Sequence, residues 1–250
     1  MSATETTAGL DIGSRSTELV LLRGGEVVSS HRLETTHDIA VRCRELLEAE
    51  AYDRLMVTGY GRALAEARFD APTVTEIKAV ARGAVELAPE SRTILDVGGQ
   101  DTKVIRVGDG GRVVRFEMND RCAAGAGRFL EMIALALGYD MEELGRAAMD
   151  GADGLELSSM CAVFAESEVV GLVTRGIARE DIARAVHRSI ARRTRSMLER
   201  VGWEPPLLLV GGAARGPCLR AMVASEVGEE PIVPDDPQMV AALGAALLTG

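Results

Sequence analysis

The chain is poor in aromatic side chains, 3% of its 250 residues, and poorer in lysine, with only Lys78 and Lys103. Neither lysine follows a glycine. A Gly-Lys-Ser/Thr phosphate loop is therefore excluded, and any nucleotide must be held by other means. Cysteine is scarce as well: the four lie at positions 43, 122, 161 and 218. No Cys-x-x-Cys occurs, which excludes ferredoxin-type cluster spacing, zinc-ribbon knuckles and thioredoxin chemistry within a single chain. Apolar runs all fall short of the roughly 18 residues of a membrane span. Positive charge is in deficit, with 28 Lys+Arg against 38 Asp+Glu and a net charge of −10. That balance argues against a sequence-independent nucleic-acid binder and against an anionic-membrane binder. The polar stretch Met1–Thr7 has no apolar signal core, so a cytoplasmic protein is expected. At this length the chain buries enough surface to fold without a disulfide or metal, as one body or two half-sized lobes.

What the chain does have is an internal repeat. Gly9-Leu10-Asp11-Ile12-Gly13-Ser14-Arg15-Ser16-Thr17-Glu18-Leu19-Val20 reads as strand, glycine turn, strand; a Gly24-Gly25 hairpin and Glu26-Val27-Val28 follow. The pattern returns 85 positions later, from Asp11 to Asp96: Ile94-Leu95-Asp96-Val97-Gly98-Gly99-Gln100-Asp101-Thr102-Lys103-Val104, a turn at Asp109-Gly110-Gly111, then Arg112-Val113-Val114. Both copies predict a β-meander with an aspartate ending the first strand. The period is too long for a solenoid and points to a duplicated lobe. Expected boundaries are 8–90 and 91–250, with the last helix a candidate to return to the first lobe.

Helices are expected over Asp38–Glu50, over Thr75–Leu87 with Thr73 or Thr75 as cap, and from Phe129 to Leu137 with Gly138 as C-cap. A long one with Ile182, Val186, Ile190, Met197 and Val201 on its apolar face is expected to end at Gly202. Leu207–Val210 reads as a buried strand entering Gly211-Gly212, Pro231–Pro237 as a linker, and Met239–Leu247 as a closing small-residue helix.

A carboxylate at a strand end, followed by a turn of backbone N–H groups, suits a metal-chelated phosphate: the acid holds the metal and the amides hold the oxygens. Two such turns from a duplicated lobe can grip a diphosphate or triphosphate from two sides. The third turn, Val210-Gly211-Gly212-Ala213-Ala214, offers a side-chain-free approach to an adenosine.

These motifs, with the closing Leu243-Gly-Ala-Ala-Leu247, resemble the two phosphate motifs, adenosine motif and connecting helix of the acetate/sugar kinase, heat-shock chaperone and actin fold. The implied class is α/β, a two-lobed actin-like (ribonuclease H-like) ATPase fold with a duplicated β-meander plus helices. A closer resemblance lies in Thr58-Gly-Tyr-Gly-Arg62, Asp96-Val-Gly-Gly-Gln-Asp101, Met118-Asn-Asp-Arg-Cys122-Ala-Ala-Gly-Ala-Gly-Arg-Phe-Leu130 and Ser158-Ser-Met-Cys161-Ala-Val-Phe-Ala-Glu-Ser-Glu-Val169. These are similar to the 2-hydroxyacyl-CoA dehydratase activators and the related ATPase subunits of benzoyl-CoA reductases, over about residues 8 to 248.

The resemblance implies an ATP-hydrolysing, one-electron donor to a 2-hydroxyacyl-CoA dehydratase or a benzoyl-CoA reductase-like enzyme, itself charged by a ferredoxin or flavodoxin. Cys122 and Cys161 would bind one [4Fe-4S] cluster across the two-fold axis of a homodimer. Asp11 and Asp96 would position magnesium through its waters. Gly13, Ser14, Arg15, Ser16, Gly98 and Gly99 would contact the phosphates of ATP or ADP, and Gln100 or Asp101 would orient the attacking water. Gly211, Gly212 and Ala213 would border the adenosine, with Glu166 reaching the nucleotide from the helix after Cys161. Asn119 and Asp120 before Cys122, and Ser158 and Ser159 before Cys161, would place both sulfurs at helix N-termini, where thiolate charge is stabilised. Gly125 and Gly127 would let the backbone approach the cluster. Family members often carry Ser-Thr and then a lysine where this chain has Ser14-Arg15 and Glu18. That acid is expected either to face solvent or to weaken the nucleotide contact. Cys43, Cys218 and His187 are expected to serve packing, and Arg192, Arg193 and Arg195 to form a solvated helix face. A cluster-free kinase of the same fold, acting on a small metabolite, is the alternative; a stand-alone maturation or regulatory ATPase is a third.

Overall fold

In the computed structural model the described residues are 5–120, 127–157 and 162–249. Cys122 and Cys161 lie outside them. The chain divides into two compact units, one of Met1–Ser91, Val107–Val114 and Gln238–Gly250, the other of Arg92–Arg106 and Arg115–Pro237.

The first unit begins with a meander, β1 (Thr6–Ile12), β2 (Ser16–Arg23) and β3 (Glu26–Glu34), then α1 (Ile39–Glu48), β4 (Arg54–Thr58), α2 (Arg62–Phe69) and α3 (Glu76–Leu87). Its sheet order is β3-β2-β1-β4, with β4 parallel to β1. The second sheet is built from β5 (Thr93–Val97), β6 (Thr102–Val107), β7 (Val113–Asn119) and β8 (Leu207–Val210), in the order β7-β6-β5-β8, with β8 parallel to β5. Each copy of the repeat thus forms the same four-stranded sheet. Between β7 and β8 the chain inserts α4 (Gly127–Leu137), α5 (Met141–Asp150), α6 (Ala162–Thr174) and α7 (Arg179–Val201). After β8 come α8 (Pro217–Val227) and α9 (Val240–Leu247).

Every residue of β1 and of β5 is buried, which is why neither alternates apolar with polar: each is the inner strand of its sheet, covered on both faces. In the first unit α9 lies on β1 and α3 through backbone contact. A Cβ on Gly9 would sit 2.0 Å from the Ala242 carbonyl oxygen, and one on Gly244 would sit 1.8 Å from that of Ala79. The small-residue pattern of the last helix is therefore a packing requirement. In the second unit, Phe129, Ile133, Val169, Ile182, Val186 and Ile190 join Leu95, Val97 and Leu209 in one core.

Expected helix ends fall within a few residues of those observed. Thr75 is the N-cap residue of α3 without a side-chain cap hydrogen bond, and Gly138 and Gly202 take left-handed torsions of +73° and +72°. The Pro231–Pro237 linker does more than connect: Ile232 exchanges backbone hydrogen bonds with Leu207 and Leu209 beside β8. Asn119 does not cap α4, because it is the last residue of β7.

Candidate functional site

Asp11 is the penultimate residue of β1, paired with Glu18 of β2 and Thr58 of β4. The turn after it is braced from the end of β3: the Thr35 hydroxyl donates to the Gly13 carbonyl at 2.9 Å, and the Thr35 amide donates to the Arg15 carbonyl. Gly13, Ser14 and Ser16 are half-buried and Arg15 is exposed. Gly13 is held against the far side of its own turn, since a Cβ there would lie 2.6 Å from the Ser16 carbonyl oxygen. Glu18 does not face solvent. It is 3% exposed, with its carboxylate 3.5 Å from the Arg32 guanidinium on β3. Strand register decides this, because Glu18 pairs with Arg32 and both side chains emerge on one face of the sheet.

The second turn repeats the geometry with different chemistry. Asp96 pairs with Lys103 of β6 and Val210 of β8. The Lys103 ammonium is buried, 2.8 Å from the Asp101 carboxylate and 3.4 Å from that of Asp96. Burial pushes the Asp96 carboxyl up; Lys103 opposes the shift and Asp101 adds to it. The Gly98 amide donates to the Asp101 carbonyl, so it closes the turn and is not a phosphate contact. Gly99 is half-buried and Gln100 exposed at the tip.

A third turn packs on Asp96. Gly211, at φ +89°, sits so close that a Cβ would lie 2.4 Å from the Asp96 Oδ1. Its amide donates to the Pro237 carbonyl, and Gly212–Arg215 continue as a short 3-10 turn with Ala213 buried. The first unit has the matching feature: Gly59, at φ +92°, would place a Cβ 2.2 Å from the Asp11 Oδ1. Both glycines directly follow the strand parallel to the aspartate strand. Thr58-Gly-Tyr-Gly-Arg62 is thus the internal counterpart of Val210-Gly-Gly-Ala-Ala, with Tyr60 78% exposed at its tip. The sequence carries a signal for this, a short apolar run entering a glycine, but the inserted helices put the two copies out of step.

The second turn is also tied to α4. The Gly127 and Arg128 amides donate to the Gly98 and Gly99 carbonyls at 2.7 and 2.8 Å. Both amide groups are thus satisfied by the turn itself. Gly127 therefore serves close approach to Gly98, its would-be Cβ lying 3.2 Å from the Gly98 carbonyl oxygen. The α4 and α6 helices, which follow Cys122 and Cys161 in the chain, pack against each other.

A family model described as the BadF/BadG/BcrA/BcrD ATPase family matches residues 8–249. The chain belongs to that family. It is 40% identical to the 2-hydroxyisocaproyl-CoA dehydratase activator of Clostridioides difficile, over 96% of this chain and 93% of the relative. It is 33% identical to one of the subunits of the benzoyl-CoA reductase of Thauera aromatica, over 96% of this chain and 92% of that relative. The solved structure of the Clostridium difficile activator with bound ADPNP superimposes with a TM-score of 0.90 at 40% identity, covering 98% of this chain and 94% of that one. The α/β actin-like ATPase fold that the resemblance implied is the fold of this BadF/BadG/BcrA/BcrD member.

For a family ATPase, the aspartate turns fit a magnesium-bound phosphate: each carboxylate ends a buried strand beside a glycine that leaves no room for a side chain. Among the described residues no group of three or more His, Cys, Asp or Glu is arranged to hold a metal ion. Cys43 and Cys218 are fully buried, and burial pushes both thiols up to about 11. Each packs within the hydrophobic core of its own unit. His187 is buried, with Nδ1 2.8 Å from the Ala183 carbonyl, and is a packing residue. Arg192 and Arg195 form exposed ion pairs with Glu156, Glu199 and Glu226. Glu166 lies on α6, exposed. No described helix is long and apolar enough to cross a membrane.

Proposed function

We propose that the chain is an ATP-hydrolysing activator that passes a low-potential electron to a 2-hydroxyacyl-CoA dehydratase or a benzoyl-CoA reductase-like partner. The observation that carries this reading is the backbone link between the Gly98-Gly99 turn and the first residues of α4. A change in what the turn holds is felt at the helix that follows Cys122, without any intervening side chain. Family membership and the likeness to dehydratase activators support the partner class.

In this reading Asp11 and Asp96 hold the waters of a magnesium ion, while Gly13, Ser14, Arg15, Ser16 and Gly99 line the phosphates. Gln100 or Asp101 orients the attacking water. Gly211, Gly212 and Ala213 border the adenosine, and Glu166 approaches it from α6. Cys122 and Cys161 of two chains, in a cytoplasmic homodimer, supply the four thiolates of one [4Fe-4S] cluster. That cluster would furnish one-electron chemistry at low potential, recharged by a ferredoxin or flavodoxin. The protein's part is to bind nucleotide, exclude water from the turns and transmit their state to α4. Anaerobic purification with iron determination and a visible spectrum tests the proposal against a cluster-free kinase: brown, iron-bearing protein supports it, and a colourless ATP-active chain refutes it.

A further inference from the structure

The two meanders carry opposite charges at one register position. Opposite Asp11 stands Glu18, which turns to Arg32; opposite Asp96 stands Lys103. The first copy builds the same strand pair with an acid at this place, so the meander itself does not require a lysine. Lys103 is one of two lysines in the chain and among the largest fully buried side chains of the described residues. Burying an ammonium is costly unless it is paired and hydrogen-bonded. Its side chain is 1% exposed, that of Asp96 8% and that of Asp101 22%, so the charges run outward from a buried cation through two carboxylates to the surface of the turn. Asp101 is confined from the other side as well, since a Cβ on Gly98 would lie 2.9 Å from its Oδ1.

We propose that Lys103 is a positioning residue for ATP hydrolysis: from within the sheet it fixes the Asp101 carboxylate toward the attacking water. This deepens the ATPase reading above and rests on it. Lys103 touches no reacting atom. In the step it supports, the water oxygen bonds to the γ-phosphorus and the bond from that phosphorus to the bridging oxygen breaks. The electron pair stays with ADP; one water proton remains on the released phosphate and the other passes to solvent. Asp101 aligns that water, and Gln100, exposed and without such a brace, does not.

The test compares wild type with Lys103→Met, Lys103→Arg and Asp101→Asn by steady-state ATP hydrolysis, ADP binding calorimetry and thermal unfolding. Lys103→Met is expected to lower kcat about 100-fold, the scale of a misplaced group, while ADP affinity is retained. Lys103→Arg restores part of kcat, because its planar fork keeps the charge but alters the spacing. A folded Lys103→Met with unchanged kcat overturns the proposal, as does a loss of kcat and ADP affinity together in proportion to lost folded protein. Should Lys103→Met fail to fold, Asp101→Asn decides: it must lose kcat with ADP affinity kept, and unchanged kcat overturns the assignment. A wild-type chain that neither binds ADP nor hydrolyses ATP refutes the underlying ATPase reading, a result distinct from any of these.

Discussion

Gly25, Gly59 and Gly211 share a backbone torsion, φ +92°, +92° and +89°, and differ in what surrounds them. A Cβ on Gly25 would meet nothing within 4 Å. One on Gly59 would lie 2.2 Å from the Asp11 Oδ1 and 2.6 Å from the Ile12 carbonyl oxygen. One on Gly211 would lie 2.4 Å from the Asp96 Oδ1 and 2.5 Å from the Val97 carbonyl oxygen. Alanine at any of the three incurs the left-handed torsion, about 1–2 kcal/mol. At Gly59 and Gly211 it must also push aside a carboxylate and a strand carbonyl, and overpacking adds about 1–3 kcal/mol. Gly25→Ala is therefore expected to cost about 1–2 kcal/mol, and Gly59→Ala about 2–5 kcal/mol. Both residues lie in the first unit, so urea unfolding followed by circular dichroism compares them on one transition. ADP calorimetry gives the second readout. Gly59→Ala and Gly211→Ala displace the proposed magnesium-holding carboxylates and weaken binding; Gly25→Ala leaves it unchanged. Equal stability losses at Gly25 and Gly59 would refute the close-approach argument.

Two further outcomes follow from buried groups and from the cysteines. Burial holds His187 below its ordinary value of 6.5, so the unfolded chain takes up a proton that the folded chain refuses. Stability is thus intact above about pH 6.5 and declines as the pH falls below it, by at most about 1.4 kcal/mol per pH unit from this group; urea midpoints at several pH values should show His187→Gln losing that acid-side component. Cys122→Ser is expected to abolish iron binding while ADP affinity stays at the wild-type value, and iron retained by that variant would refute the ligand assignment.

The meanders were legible because their signals are local: Asp-x-Gly at a strand end and glycine pairs in the hairpins, repeated at a fixed offset. Gly138 and Gly202 announced two helix ends in the same way. Other local signals went unread. The α5 helix opens with an Asp140–Glu143 capping box, and α8 has Pro217 at its start and Gly228 at φ +78° just past its end. The partnership of Gly59 with Gly211 was hidden by insertion, since α4 to α7 separate β7 from β8 where a single helix separates β3 from β4. Neither the pairing of Glu18 with Arg32 nor the hold of Gly127 on Gly98 was legible, because register and tertiary contact set both. Residue types in the turns were legible, but their hydrogen bonds were not: Gly98 spends its amide inside the turn.

One anaerobic preparation, assayed for iron and for ATP hydrolysis together, tests the central claim most directly. A cluster shared by two chains predicts about two irons per polypeptide in a brown protein that hydrolyses ATP. A colourless, iron-free protein that hydrolyses ATP at full rate would contradict it.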